Sequence, residues 1–180
     1  MIRQLLIYFW QLCLCKQVPE NCPYSPTLMG LSGMFLMLIF VVQWWIASFE
    51  QSHDLLYIAA MALSVVVSYI IYTYTVLVFR NMKNRLVQTV TCLFSTHLII
   101  HLLAMPLILS APYLSQNNLK SLFLLLLAII YLFFTLVFSV WQFIITAHIY
   151  RYAIDGTSIQ SVLTAFGLIA INILTLSFWR

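Results

Sequence analysis

Five apolar stretches of roughly 20 residues or more, separated by short polar turns, leave this chain few ways to fold. The hydrocarbon layer of a bilayer is about 30 Å thick and an α-helix rises about 1.5 Å per residue, so about 20 mainly apolar residues cross it. The stretches run over about 27–49, 55–79, 86–109, 120–150 and 159–179. Between them stand Glu50 to Asp54, the basic turn Arg80 to Arg85, a loop with Pro112, Gln116, Asn117 and Asn118, and finally Asp155 to Ser158. That last turn also supplies a helix start, because serine and threonine hydroxyls accept from the amides left open at a helix N-terminus. Hydrophobic residues make up 64% of the chain and charged ones 7%, against about 45–50% and about 25% in soluble proteins. A soluble core cannot bury that much apolar surface. The expected fold class is all-α: a polytopic integral membrane helical bundle with five transmembrane helices, preceded by a short interfacial amphipathic helix.

Charge sets the threading. With the N-terminus inside, Arg3, Lys16, Arg80, Lys83, Arg85 and Arg151 fall on the cytoplasmic side, and Lys120 and Arg180 on the other with Glu50 and Asp54. Positive residues near span ends concentrate in the cytoplasm, so a cytoplasmic N-terminus and periplasmic C-terminus are expected. Short loops and the lack of eukaryotic sorting signals point to a bacterial inner membrane. Trp44, Trp45, Tyr57, Tyr113 and Trp179 fit an outer aromatic belt, and Tyr150 and Tyr152 an inner one. The net charge of +4 is scattered rather than gathered into a stripe with interleaved aromatics, which argues against nucleic acid as a partner. Five spans consume nearly all of the 180 residues and leave no room for a soluble catalytic domain.

Residues 1–26 form a separate unit ahead of the membrane domain, 27–180. Arg3 and the apolar run after it look like a secretion signal, but no small-x-small cleavage site follows and Lys16 interrupts the run. Gln4, Tyr8, Gln11 and Cys15 recur at helical spacing opposite Leu5, Phe9 and Leu12, which predicts a helix lying in the cytoplasmic interface. Pro19, Pro23 and Pro26 keep it from running into the first span.

Chemistry is harder to find. His97 and His101 are four apart on the third span and share a helix face, and imidazole inside a membrane is a functional candidate by default. The competing reading is that each bonds a serine, threonine or carbonyl of a neighbouring helix. A haem or metal held by histidines needs partners at matching depth. His148 sits near the inner end of its span, whereas His97 lies about 16 Å from the inner end of its own at 1.5 Å per residue. His53, in the outer loop, is within reach of His101 only if the helices tilt. No acidic residue lies inside a span to orient metal-bound histidines. Cys13, Cys15 and Cys22 match no paired zinc spacing, and Cys92 stands alone in the third span. Nucleotide-binding glycine loops, nucleophile elbows and H-E-x-x-H are absent, so no catalytic, cofactor-binding or metal residues are expected and the chain is not read as an enzyme.

Ala60, Ser64 and Ser68 recur every four residues on the second span, the small-xxx-small pattern that lets helix backbones approach closely in lipid. Gly30 with Gly33, and Gly167 with Ala170, suit the same task. Tyr69, Tyr72 and Tyr74, beside Thr73 and Thr75, make the lower half of that span polar enough to line a cavity or to bond within the bundle. Pro106 predicts a kink near Leu102, and the length of the fourth span predicts tilt or a cytoplasmic extension.

The layout resembles the Yip1-domain membrane proteins, a likeness that implies a cytosolic N-terminus and five closely packed spans. The acidic-Leu-Tyr-Gly-Pro motif of the eukaryotic members is missing. Lys16 to Pro26, a proline-bracketed stretch ahead of the first span, is also similar to small uncharacterised bacterial inner-membrane proteins. Three functions compete. The leading one is a non-enzymatic Yip1-like bundle that binds or organises other membrane proteins, with the lipid bilayer, other membrane proteins or a second copy as partners. The second is a transporter or permease subunit whose polar path uses the Tyr69 to Thr75 region, with Tyr69 and Tyr72, and Ser95, Thr96, His97 and His101, and the third a histidine-ligated haem or metal protein.

Overall fold

The computed structural model describes residues 2–47, 54–115 and 122–179, and these are all-helical, with no strand among them. The helices are α1 (Ile2–Cys13), α2 (Pro26–Ala47), α3 (Leu55–Phe79), α4 (Leu86–Leu103), α5 (Met105–Ser115), α6 (Leu122–Ala153) and α7 (Ser158–Ser177). Five stretches are long and apolar enough to cross a membrane: α2, α3, the Lys83–Leu103 stretch containing α4, most of α6, and α7. The chain is therefore an integral membrane bundle. Asp54 caps α3 by accepting from the Leu56 amide at 3.3 Å, and Thr157 with Gln160 forms a reciprocal capping box at the start of α7. The polar residues Glu50 to His53 and Gln116 to Asn118 lie outside the described residues, as do Phe49, Lys120 and Arg180 and the side chain of Tyr113.

One expected span is two helices. The stretch 86–109 breaks at Ala104, and α5 then continues through Pro112 to Ser115 rather than yielding to a loop. Pro106 has no amide to give to Leu102, so the α-helical ladder cannot pass this point unbroken. Ala104 closes α4 by donating to the Ile100 carbonyl at 2.9 Å, and Leu107 restarts the ladder by donating to Ala104 at 3.0 Å. The His101 carbonyl at the break accepts from the Gln43 side chain of α2 at 3.0 Å. In lipid such a freed carbonyl needs a protein partner, and Gln43 supplies it.

α4 packs on α2, α3 and α6, while α7 closes against α3 and α6. Its buried threonines satisfy themselves: Thr89, Thr91 and Thr96 donate to carbonyls four residues back at 2.8, 2.6 and 2.8 Å. Close approach is built where glycine allows it. A Cβ on Gly167 would sit 2.1 Å from the Tyr72 hydroxyl, and one on Gly33 would sit 3.0 Å from the Phe94 ring. Ser64 and Ser68 face α7, taking the Trp179 indole at 3.0 Å and donating to Asn172 at 3.0 Å. The small-residue stripe of α3, Ala60 included, thus runs along a helix that packs on the fifth span of the same chain.

Residues 2–25 lie against the Leu86 end of α4 and the Ala153 end of α6. α1 buries Phe9, Leu12 and Cys13 and exposes Leu6, Ile7, Trp10 and Leu14. Tyr8 and Gln11 are therefore not on a water-facing stripe but half-buried toward the following strap, residues 14–25. Tyr8 donates to the Val18 carbonyl at 2.8 Å, and the Gln17 amide reaches Gln11 at 3.0 Å. Trp141 holds Cys13 O at 2.9 Å, His148 holds Gln17 O at 2.8 Å, Gln88 holds Cys22 O at 2.8 Å, and Arg85 pairs with Glu20 at 3.0 Å.

Candidate functional site

His97 is buried at the meeting point of α3, α4 and α6. Its Nδ1 lies 2.7 Å from the Tyr69 hydroxyl and 3.1 Å from Gln142 Nε2, and its Nε2 lies 2.9 Å from Thr146 Oγ1. Thr146 donates its own proton to the Gln142 carbonyl at 2.8 Å, so it can only accept from the histidine. His97 is thereby assigned as the neutral Nε2–H tautomer, with Nδ1 accepting from Tyr69. One imidazole pins three helices without carrying charge.

His101, one turn further along α4, has a different environment. Gln43 donates its amide to the His101 carbonyl, which turns Oε1 toward the ring, and His101 Nδ1–H donates to that oxygen at 2.9 Å. Phe40 meets the ring edge-on with centroids 4.9 Å apart. His101 thus donates from Nδ1, the ring nitrogen that accepts in His97.

Two clefts, each half open at the surface of the bundle, flank this seam. The larger, about 280 Å³, lies between α3, α4, α6 and α7 and is lined by Tyr69, His97, Gln142, Thr146 and Asn172 beside apolar residues of α6 and α7. The smaller, about 170 Å³, lies between α2, α4, α5 and α6 and is lined by Gln43, His101, Tyr131 and Thr135. Ser139 and Gln142 belong to both. A water molecule occupies about 30 Å³ of liquid, so each cleft has room for several waters or one small solute. Among the described residues no formally charged one lines either.

Of the four candidates read from the sequence, the structure brings His97 and Tyr69 together and sets His101 beside Gln43. Tyr72 points away, donating to the Thr164 carbonyl of α7 at 2.8 Å. The polar lower half of α3 divides: Thr73 is buried against the Tyr150 hydroxyl at 2.9 Å, whereas Tyr74 and Thr75 are exposed. Tyr150 is accordingly a core residue rather than part of an inner aromatic belt. Gln43, Gln142, Thr146 and Asn172 were missed. Their signal was available, because an amide placed inside an apolar span must find a partner. Among the described residues no group of three or more His, Cys, Asp or Glu is placed to hold a metal, and His148 meets the strap rather than His97.

The cysteines divide otherwise than their spacing suggests. Cys92 is not alone: its sulfur lies 3.9 Å from the Tyr8 hydroxyl, and Cys22 belongs to the same buried cluster. Burial pushes the Cys13 thiol up to about 12 and raises that of Cys15. No protein-family model matches the chain, and no curated protein or solved structure matches it either.

Proposed function

We propose that this chain is a non-enzymatic membrane bundle of the permease-subunit kind, which admits small uncharged polar molecules to the seam between α4 and α6. The observation that carries the reading is the pair of clefts sharing Ser139 and Gln142, each with a histidine on its wall. Gln142 is the partition. Its amide is held by His97, and turning it away would join the two spaces. The absence of charge on either wall favours a molecule that brings hydrogen bonds but no charge, since an ion would remain uncompensated there. A haem or metal reading is disfavoured by His97, both of whose ring nitrogens are already engaged.

In this reading the bundle sits in a bacterial inner membrane with its N-terminus in the cytoplasm. Arg80, Lys83, Arg85 and Arg151 gather at the end of the bundle where the strap lies, which supports that orientation. α1 rests in the inner interface with Leu6, Ile7, Trp10 and Leu14 turned to lipid.

The test is solute entry into vesicles reconstituted with the purified protein, using glycerol and urea. Wild-type vesicles should admit at least one of them faster than protein-free vesicles, and Gln142→Leu and His97→Phe should slow that entry without lowering folded yield. Permeability equal to that of protein-free vesicles for both solutes would overturn the proposal.

A second reading, a Yip1-like bundle that organises other membrane proteins, is favoured by one feature of α6. Between Leu132 and Val140 every residue but Phe138 is exposed, which leaves most of that helix surface open to a partner helix.

A further inference from the structure

The strap crosses the Leu86 end of α4 and is held there by bonds to its backbone and one ion pair. Gln88 of α4 holds the carbonyl of Cys22, and Cys92 lies one helical turn further along the same helix. Cys22 and Cys92 belong to one buried cluster with Phe9, Leu12 and Cys13, and both are free thiols. Tyr8 ties this corner together, donating to Val18 of the strap at 2.8 Å while its oxygen stands 3.9 Å from Cys92 Sγ.

We propose that Cys22 and Cys92 form a thiol pair that a peroxide converts to a disulfide, locking the strap covalently onto α4. The pairing joins residues 70 positions apart in sequence, which no reading of the C-x-C-x6-C spacing offers. The step balances. The Cys22 thiolate attacks one peroxide oxygen and breaks the O–O bond, giving a sulfenic acid and hydroxide, which takes up the proton Cys22 had lost and leaves as water. The Cys92 thiol then attacks the sulfenic sulfur, the S–S bond forms, and a second water leaves with the Cys92 proton. Two electrons pass from the two sulfurs to the peroxide.

Cys22 is the attacking sulfur. It sits on the strap between exposed Asn21 and Pro23, so a small local opening exposes it, whereas Cys92 lies inside α4. The neighbouring Cys92 thiol pulls the Cys22 thiol below its ordinary value, and thiolate character governs such attack. Cys13, held up at about 12 by burial, is a poor competitor.

The lock bears on the clefts through α6. Trp141 holds the end of α1 and His148 the strap, while Gln142 and Thr146 of the same helix segment bond His97. Fixing the strap thus fixes the stretch of α6 that carries the partition.

The experiment treats membranes containing the full chain with hydrogen peroxide, denatures them, alkylates the remaining thiols with N-ethylmaleimide and weighs the protein. The reduced chain takes four adducts, one per cysteine. After peroxide it should take two, with peptide mapping showing a Cys22–Cys92 bridge that a reductant reverses. The Cys13→Ser, Cys15→Ser double variant should still lose both its remaining thiols. Four adducts after peroxide, or a bridge confined to Cys13 and Cys15, would overturn the proposal.

Discussion

α4 and the N-terminal half of α6 lie in the same bilayer under opposite rules. α4 is the least apolar of the five spanning stretches and the most enclosed, with 56% of its window buried; α6 is the most apolar, and none of its window is buried. In water the buried helix would be the greasy one. In lipid the solvent itself is apolar, so hydrocarbon side chains gain nothing by turning inward, and the groups that must be enclosed are those needing hydrogen bonds. α4 carries Gln88, Thr89, Thr91, Ser95, Thr96, His97 and His101 for that reason, and α6 turns Leu132, Phe133, Leu136 and Val137 outward.

The contrast breaks most visibly by truncating one large side chain in each region. His97→Ala should lower stability by about 2–4 kcal/mol, through a cavity and three lost interhelical bonds. Phe133→Ala should stay within about 0.5 kcal/mol, because lipid replaces what is removed. Thermal unfolding in a mild detergent reads both, and a large cost for Phe133→Ala would show that the N-terminal half of α6 meets a partner chain. Gly167→Ala comes next, at about 1–3 kcal/mol from the clash with the Tyr72 hydroxyl. Adding Tyr72→Phe should recover part of that loss, and no recovery would mean the crowding comes from elsewhere. Gln43→Leu should cost about 1 kcal/mol by stripping partners from the His101 ring and carbonyl, seen as the same kind of shift in unfolding midpoint. Smallest is Thr96→Val, at about 0.5 kcal/mol or less, since that hydroxyl bonds only within its own helix. A cost above 1 kcal/mol there would point to an interhelical role that the packing does not show.

The spans were legible in the sequence because lipid leaves the backbone one economical choice. Thus 55–79 returned as α3 to the residue, and Thr157 began α7 as its position foretold. The break at Ala104 was half legible: Pro106 announced a disruption, but whether a helix bends or ends depends on a partner for the freed carbonyl, and Gln43 lies 58 residues away. The candidate site was legible only on one side. His97 and His101 stood out as imidazoles in an apolar run, while their partners are uncharged amides and hydroxyls whose pairing is fixed by helix rotation. That Cys22 shares a buried cluster with Cys92 depended on the strap folding back over α4, a tertiary event with no local signature.

Whether the two clefts hold water is the point on which the proposed function turns, and Ser139 lines both. The direct measurement is the labelling rate of Ser139→Cys by a small water-soluble methanethiosulfonate reagent in intact membranes, against Val140→Cys, its exposed apolar neighbour on α6. Water-filled clefts give fast labelling at position 139, slowed by the solute that the protein admits, and little at 140. Equal and negligible labelling at both positions would mean that lipid fills the clefts and that no polar path runs beside His97 and His101.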